Sequence, residues 1–312
     1  MARREVLLLV ACVVAGIYFA SASPHFLTQR NLTTIFNNSV ELLLIAVGMT
    51  FILATAGIDI SVGAAMGISA VLVGFALQEG WPTPAVALLG PAIGIGLGLL
   101  SASVIVFGRV PPIIATLGLF GIYRAAIFLI LGGRWISGLP SELETLVRGQ
   151  IFGIPVQLFQ IGLLYLVAYL VLRWTRLGTA ILAVGGNERS AHLAGIRVTK
   201  AKFFAYGMTG LLVGFAAVLY VARYRNVETG IGSTIALDAI VAAILGGSTV
   251  LGGRANLLGT MLGVVLVRIL QNGFVLAGFP SLWEQVVIGV LLLVALTVDA
   301  LATRLSSRRA EA

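Results

Sequence analysis

Charge is what this sequence has least of. In a chain of 312 residues, 10% are charged and 59% hydrophobic, against ~25% and ~45–50% in ordinary soluble domains. That excludes a water-soluble fold, whose surface must be covered by polar groups. The single cysteine, Cys12, excludes an intrachain disulfide and a cysteine-based metal cluster. His25 and His192 lie far apart and are read as loop residues on opposite sides of a membrane, which argues against a shared metal site. The only lysines are Lys200 and Lys202, and no Gly-x-x-x-x-Gly-Lys-[Ser/Thr] motif occurs, so this chain is not expected to bind ATP, and no cofactor is expected in it. No Ser/His/Asp set or His-based metal motif lies in the apolar runs, so no catalytic residue is assigned. The net charge of +8 comes with neither a basic face nor a polybasic tail, and nucleic acid is not an expected partner.

Long uncharged runs are abundant. A spanning helix needs ~20 mostly apolar residues, and ten segments approach this: 5–22, 39–57, 61–78, 85–107, 113–131, 158–174, 203–221, 235–251, 256–275 and 282–301. They predict an all-α polytopic membrane bundle in one domain, 1–312, with about ten transmembrane or re-entrant helices. Cys12, in the first run, is expected to face lipid or to pack. Segments 61–78 and 235–251 are short and adjoin Gly57-Ile58-Asp59-Ile60-Ser61 and Gly246-Gly247-Ser248-Thr249, which points to re-entrant or broken helices. Arg3, Arg4, the run Val6 to Ala20 and Ala20-Ser21-Ala22 imitate a secretory signal. An uncleaved anchor is expected instead, because many spans follow.

Cytoplasmic loops carry an excess of Lys and Arg. With the N-terminus inside, residues 3, 4, 109, 173, 176, 189, 197, 200, 202, 254, 304, 308 and 309 fall inside, and 30, 134, 148, 223 and 225 outside. The bias predicts both termini cytoplasmic. The longest inner loop is then 175–202. Within it Asn187 is placed to cap a short amphipathic helix beginning at Glu188 and Arg189, with Gly195 placed to end it. Such a helix suits docking to a soluble partner or resting on lipid headgroups.

Ionisable groups at membrane depth are costly and face protein or water. Asp59 is expected to cap the helix that begins near Ser61 or to line a cavity, and Asp238 to cap its own segment. Arg124 reads as a tie holding a carboxylate and backbone carbonyls, and Arg268 as able to snorkel. Gly94 and Gly98, with Gly210 and Gly214, show the small-x-x-x-small spacing of closely packed helices. Charges in the outer loops (Arg134, Glu142, Glu144, Arg148, Arg223, Arg225, Glu228) are candidates for docking a partner.

Four stretches in order carry a family resemblance: Gly57-Ile58-Asp59-Ile60-Ser61-Val62-Gly63; Ala115-Thr116-Leu117-Gly118 with Ile122-Tyr123-Arg124; Gly185-Gly186-Asn187-Glu188 through Ala194-Gly195-Ile196; and Leu245-Gly246-Gly247-Ser248-Thr249 through Leu251-Gly252-Gly253. The sequence resembles the permeases of ribose-type ABC importers, a group that also serves rhamnose, xylose, galactose and autoinducer-2. The stretch Gly132 to Pro140 looks most like the autoinducer-2 members. The resemblance implies a bacterial inner-membrane permease for a monosaccharide-like solute. Its implied partners are ABC ATP-binding subunits, a periplasmic sugar-binding protein and a second permease chain, identical or related. It also implies that Asn187, Glu188, Arg189, Ala191, Leu193, Ala194 and Gly195 form a coupling helix. Arg189-Ser190 departs from the two small residues often found in relatives. Asp59, Ser61, Arg124, Gly246, Gly247 and Ser248 are candidates for the translocation path or for helix breaks. An ion-gradient-driven transporter would need coupling carboxylates deep in the bundle, for which Asp59 alone qualifies. A branched-chain amino-acid ABC permease would share the architecture but not the sugar-type stretches.

Overall fold

A computed structural model describes residues 2–280 and 282–311, with side chains described for 4–280 and 282–297. The side chains at 3, 304, 308 and 309, counted above as inner charges, therefore lie outside the described set.

The chain is helical nearly throughout: α1 (Ala2–Ala22), α2 (Gln29–Ala54), α3 (Val62–Gln78), α4 (Thr83–Val106), α5 (Pro112–Leu131), α6 (Thr145–Arg148), α7 (Val156–Trp174), α8 (Arg176–Gly186), α9 (Glu188–Leu193), α10 (Val198–Tyr224), α11 (Ile235–Leu245), α12 (Leu257–Leu276) and α13 (Leu282–Glu311). Four two-residue strands, β1 (Ile136–Ser137), β2 (Gln150–Ile151), β3 (Ile154–Pro155) and β4 (Asn226–Val227), lie in the connections. Prolines set several starts. Pro82, Pro111 and Pro155 sit at the N-caps of α4, α5 and α7, where a missing N–H costs nothing and the fixed φ suits the entry turn. Helix α5 stops at Gly132, which takes a left-handed φ of 59°.

Seven helices among the described residues are long and apolar enough to cross a membrane: those ending at Ala22, Ala54, Val106, Leu131, Trp174, Tyr224 and Leu276. Every one of the ten expected segments falls on a helix. Two helices form the centre. From Ser39 to Ala54 α2 is buried without interruption, and much of α10 is buried with it. Peripheral helices bury a single stripe: α5 turns Ala115, Leu119, Tyr123, Ile127 and Leu131 inward and leaves Leu117, Ile122, Phe128 and Leu129 exposed. That pattern is what lipid as the outer solvent selects, because apolar side chains are comfortable on both faces.

The glycine seam is real. A Cβ on Gly94 would overlap the carbonyl oxygen of Gly210, one on Gly98 that of Tyr206, and one on Gly214 that of Gly90. Helices α4 and α10 thus meet backbone to backbone, as the small-x-x-x-small spacing predicts. Cys12 packs, buried with Leu8 and Leu266.

Segment 235–251 is broken at the expected glycines: it is helical only to Leu245, because Gly246 and Gly247, the latter at φ 100°, turn the chain out of the helix. Two expectations need correction. The 175–202 stretch is not mainly loop: it holds α8 as well as α9, and His192 sits on α9. The connections expected to lie outside are also more structured than solvated loops. Strand β1 pairs antiparallel with β4, Arg225 Nε donates to the Leu139 carbonyl over 2.7 Å, and Glu144 pairs with Arg148 at 2.6 Å.

Candidate functional site

Helices α8 and α9 are joined at one residue. Asn187 has extended backbone (φ −161°) and ends α8 while its Oδ1 accepts from the Ser190 N–H over 2.8 Å, satisfying one of the free donors that open any helix. Glu188 follows in the first turn, where the helix dipole favours an acid. Its Oε2 accepts from Lys202 Nζ over 2.7 Å, tying α9 to the start of α10. At the far end Gly195, at φ 80°, reverses the chain, and the Ile196 N–H returns to the Ala191 carbonyl. Only Ala191 of this helix turns inward. Arg189, His192 and Ala194 are exposed, and Leu193 is 80% exposed. The short helix predicted between Asn187 and Gly195 is present, six residues long, with an apolar residue at the tip of its outer face.

The four motif stretches, scattered over the sequence, converge in space. Gly185 on α8 lies against the end of α2, where a Cβ would overlap the Ala54 carbonyl. The same carbonyl accepts from the Gly253 N–H over 3.1 Å. A Cβ on Gly252 would press on the backbone of Ala56 and Gly185. Side chains larger than hydrogen would separate these three backbones. From there the chain turns through Ala56 (φ 59°) and Gly57 to Asp59. Asp59 Oδ1 accepts from the Ser61 N–H at 2.8 Å and from its Oγ–H at 2.6 Å, so Asp59 organises the turn entering α3. Thr116 completes the set: its Oγ1 accepts from the Ile60 N–H over 3.2 Å, while its own proton goes to the Pro112 carbonyl at 2.9 Å with the Ile58 carbonyl 3.3 Å away.

Beside α9 a cleft of about 730 Å³ is lined by Arg109, Pro112, Glu188, Arg189, His192 and Lys202. A second space of about 180 Å³ runs inward past Glu188, Lys202, Gly185 and Gly57 to Tyr206. Tyr206 also borders a pocket of about 10 Å³ with Asp59, Ser61, Ser101 and Thr209. Asp59 and Ser61 therefore both build the turn and border a small internal void. Ser248 is fully buried, with its Oγ 3.4 Å from the Asn256 N–H, so Gly246, Gly247 and Ser248 act as a helix break.

Arg124 is remote from this cluster. Its Nη1 donates to the Thr229 carbonyl over 3.1 Å and its guanidinium lies 5.5 Å from the Phe120 ring centre. It ties α5 to the 228–234 loop through the Thr229 carbonyl rather than through a carboxylate, while Phe120, one turn back on α5, packs against the guanidinium. Arg268 does not snorkel. It bonds Gln271 Oε1 over 2.7 Å and lies 3.7 Å from Asp238, so Asp238 is an ion-pair partner rather than a cap. Sequence reading missed the pair of Glu41 with Arg223, 2.8 Å apart, with Arg223 also donating to the Asn37 carbonyl. The available signal was Glu41 itself, the one charged residue in the 39–57 run. Among the described residues, no group of three or more His, Cys, Asp or Glu is placed to hold a metal ion.

Comparison with known proteins matches residues 31–296 to the family described as branched-chain amino acid transport system / permease component. The chain is 32% identical over 296 residues to the autoinducer 2 import system permease protein LsrC of Yersinia enterocolitica, covering 95% of this chain and 82% of the relative. The LsrC proteins of Yersinia pestis (strain Pestoides F) and Yersinia pseudotuberculosis (strain IP 31758) are each 31% identical over 300 residues, covering 95% of this chain and 84% of theirs. No solved structure matches.

Proposed function

Since the chain belongs to the family of branched-chain amino acid transport system permease components, we propose that it is the membrane-spanning subunit of a bacterial ATP-binding-cassette importer for a monosaccharide-like solute. The relatives named as autoinducer 2 permeases favour a small polyhydroxylated solute of that class. Both termini then lie in the cytoplasm, ten helical segments traverse or enter the inner membrane, and α8–α9 face the cytoplasm. Two ATP-binding subunits supply energy, a periplasmic sugar-binding protein delivers solute, and a second permease chain, identical or closely related, completes the pore. The chain itself carries out no chemistry.

The observation that carries this reading is α9: a capped helix that projects Leu193 and Arg189 outward while its neighbour α8 is locked against the end of α2. An apolar tip left in solvent suits insertion into a groove on a soluble partner. The rigid glycine contacts behind it give a push on α9 a route to the Asp59 turn. An ion-gradient mechanism has less to work with, because Asp59, Glu41 and Asp238 are each engaged in a turn or ion pair. Amino-acid import is kept open by the family's own description. The test is co-purification with the ATP-binding subunit of the proposed importer. The complex is expected to survive detergent extraction and to be lost in Leu193→Asp; an unaffected complex removes α9 from the contact.

A further inference from the structure

At the end of the bundle opposite α9, and separated from it by the 27-residue α10, ~40 Å at 1.5 Å per residue, a cleft of about 330 Å³ opens between α2, α10, α11, α12 and the 228–235 loop. Its size falls at the low end of small-molecule sites. Two ion pairs stand in its wall, Glu41 with Arg223 and Asp238 with Arg268, and the two carboxylate side chains are only 5% and 4% exposed. Buried ion pairs add little net stability over apolar packing, so two of them bordering one cleft point to a use besides folding. Each carboxylate spends one oxygen on its pair. Glu41 Oε1 and Asp238 Oδ1 take part in no hydrogen bond among the described residues. The pairs cancel in charge, leaving Glu228 as the one other ionised group on the lining. Beside them the Tyr220 and Tyr224 rings lie 4.6 Å apart, with the Arg223 guanidinium 4.5 Å from the Tyr224 ring centre.

Carboxylates and guanidiniums side by side offer acceptors and donors to neighbouring hydroxyls, and a tyrosine face offers a surface to C–H groups. The two pairs neutralise each other internally and the remaining Glu228 disfavours an anion, so the donors and acceptors the pairs leave over are matched best by hydroxyls. We propose that this cleft is a weak binding site for an uncharged, polyhydroxylated solute of monosaccharide size, occupied after release from the delivering protein and before passage through the bundle. The inference rests on the importer reading above.

The test uses Asn38, which is exposed on the cleft lining, as a reporter. Cys12 is buried, so Asn38→Cys provides one reactive thiol. Full-length chain is reconstituted with its ATPase in vesicles, and labelling by a membrane-impermeant maleimide is timed with and without 50 mM of whichever sugar the complete importer takes up. Labelling is expected to slow at least threefold with that sugar, to stay unchanged with L-leucine or phosphate, and to lose protection when Tyr220→Leu and Tyr224→Leu are added together. Replacing the Glu41–Arg223 pair by Gln in both positions is expected to abolish protection as well. Uptake without protection overturns the site and leaves the importer standing. Protection by leucine instead overturns the solute class. No uptake of any solute by the complete system removes the premise itself.

Discussion

Lys202 reaches back across 14 positions to bond Glu188 at 2.7 Å, fastening the first turn of α9 to the first turn of α10. Helix α10 is the central element of the bundle and is sealed to α4 by the glycine seam. A force on α9 therefore has two routes inward: through this ion pair to α10, and through Gly185 to the end of α2. The pair is partly solvent-exposed, 16% and 57% for its two side chains, so it adds little stability; on the importer reading it serves to pass motion from α9 to α10.

Separating coupling from folding is possible at this helix. Leu193→Asp replaces an apolar tip that is 80% exposed and is expected to leave Tm unchanged while lowering uptake more than tenfold. Glu188→Lys combined with Gly195→Val is expected to abolish uptake with the protein still in the membrane, the second change also straining a left-handed position by ~1–2 kcal/mol. Uptake and thermal unfolding measured on the same preparations check both.

The glycine seam predicts a contrast within one helix. Gly94→Ala places a methyl on the Gly210 carbonyl, whereas nothing lies within 4 Å of a methyl on Gly96. The first is expected to destabilise by about 1–3 kcal/mol, the usual scale of overpacking, and the second to be neutral or slightly stabilising through helix propensity. Thermal unfolding in detergent should separate them.

How much of this was legible in the sequence depends on whether the cause is local. Asn187 and Gly195 bracket α9 because caps and left-handed stops act within one turn. Gly94 and Gly210 announced close packing through spacing alone, though not that they would face each other. The Glu41–Arg223 pair joins residues 182 apart, and no local pattern encodes such a partnership. Arg268 was misread as snorkelling for the same reason: its partner Asp238 lies on a different helix. Helix α8 was hidden by its 11-residue length, too short to stand out as a span and merged with the loop around it. The convergence of the four motif stretches on Ala54, Asp59 and Thr116 needed the fold.

Asp59 distinguishes the importer from an ion-coupled carrier. As the acceptor for the Ser61 N–H and hydroxyl, it can be replaced by Asn with its hydrogen bonds largely kept. Asp59→Asn is expected to retain uptake within about threefold, while Asp59→Ala loses ~1–2 kcal/mol of stability, as for a lost helix cap. Uptake abolished by Asn at unchanged Tm would instead assign the carboxylate a protonic role.

Topology is checked independently of transport. Cysteines at Asn187 and Glu142, in a Cys12→Ala background, are expected to react with impermeant maleimide from opposite faces of the membrane. Labelling of both from one face would invert part of the threading.

The central claim is tested most directly by solute uptake in proteoliposomes holding this chain, its adjacent ATP-binding subunit and the sugar-binding protein, assayed with ribose, rhamnose, xylose and autoinducer-2. Uptake of at least one of these is expected, requiring ATP and all three components. Uptake by this chain alone, driven by an ion gradient and indifferent to ATP, would contradict it.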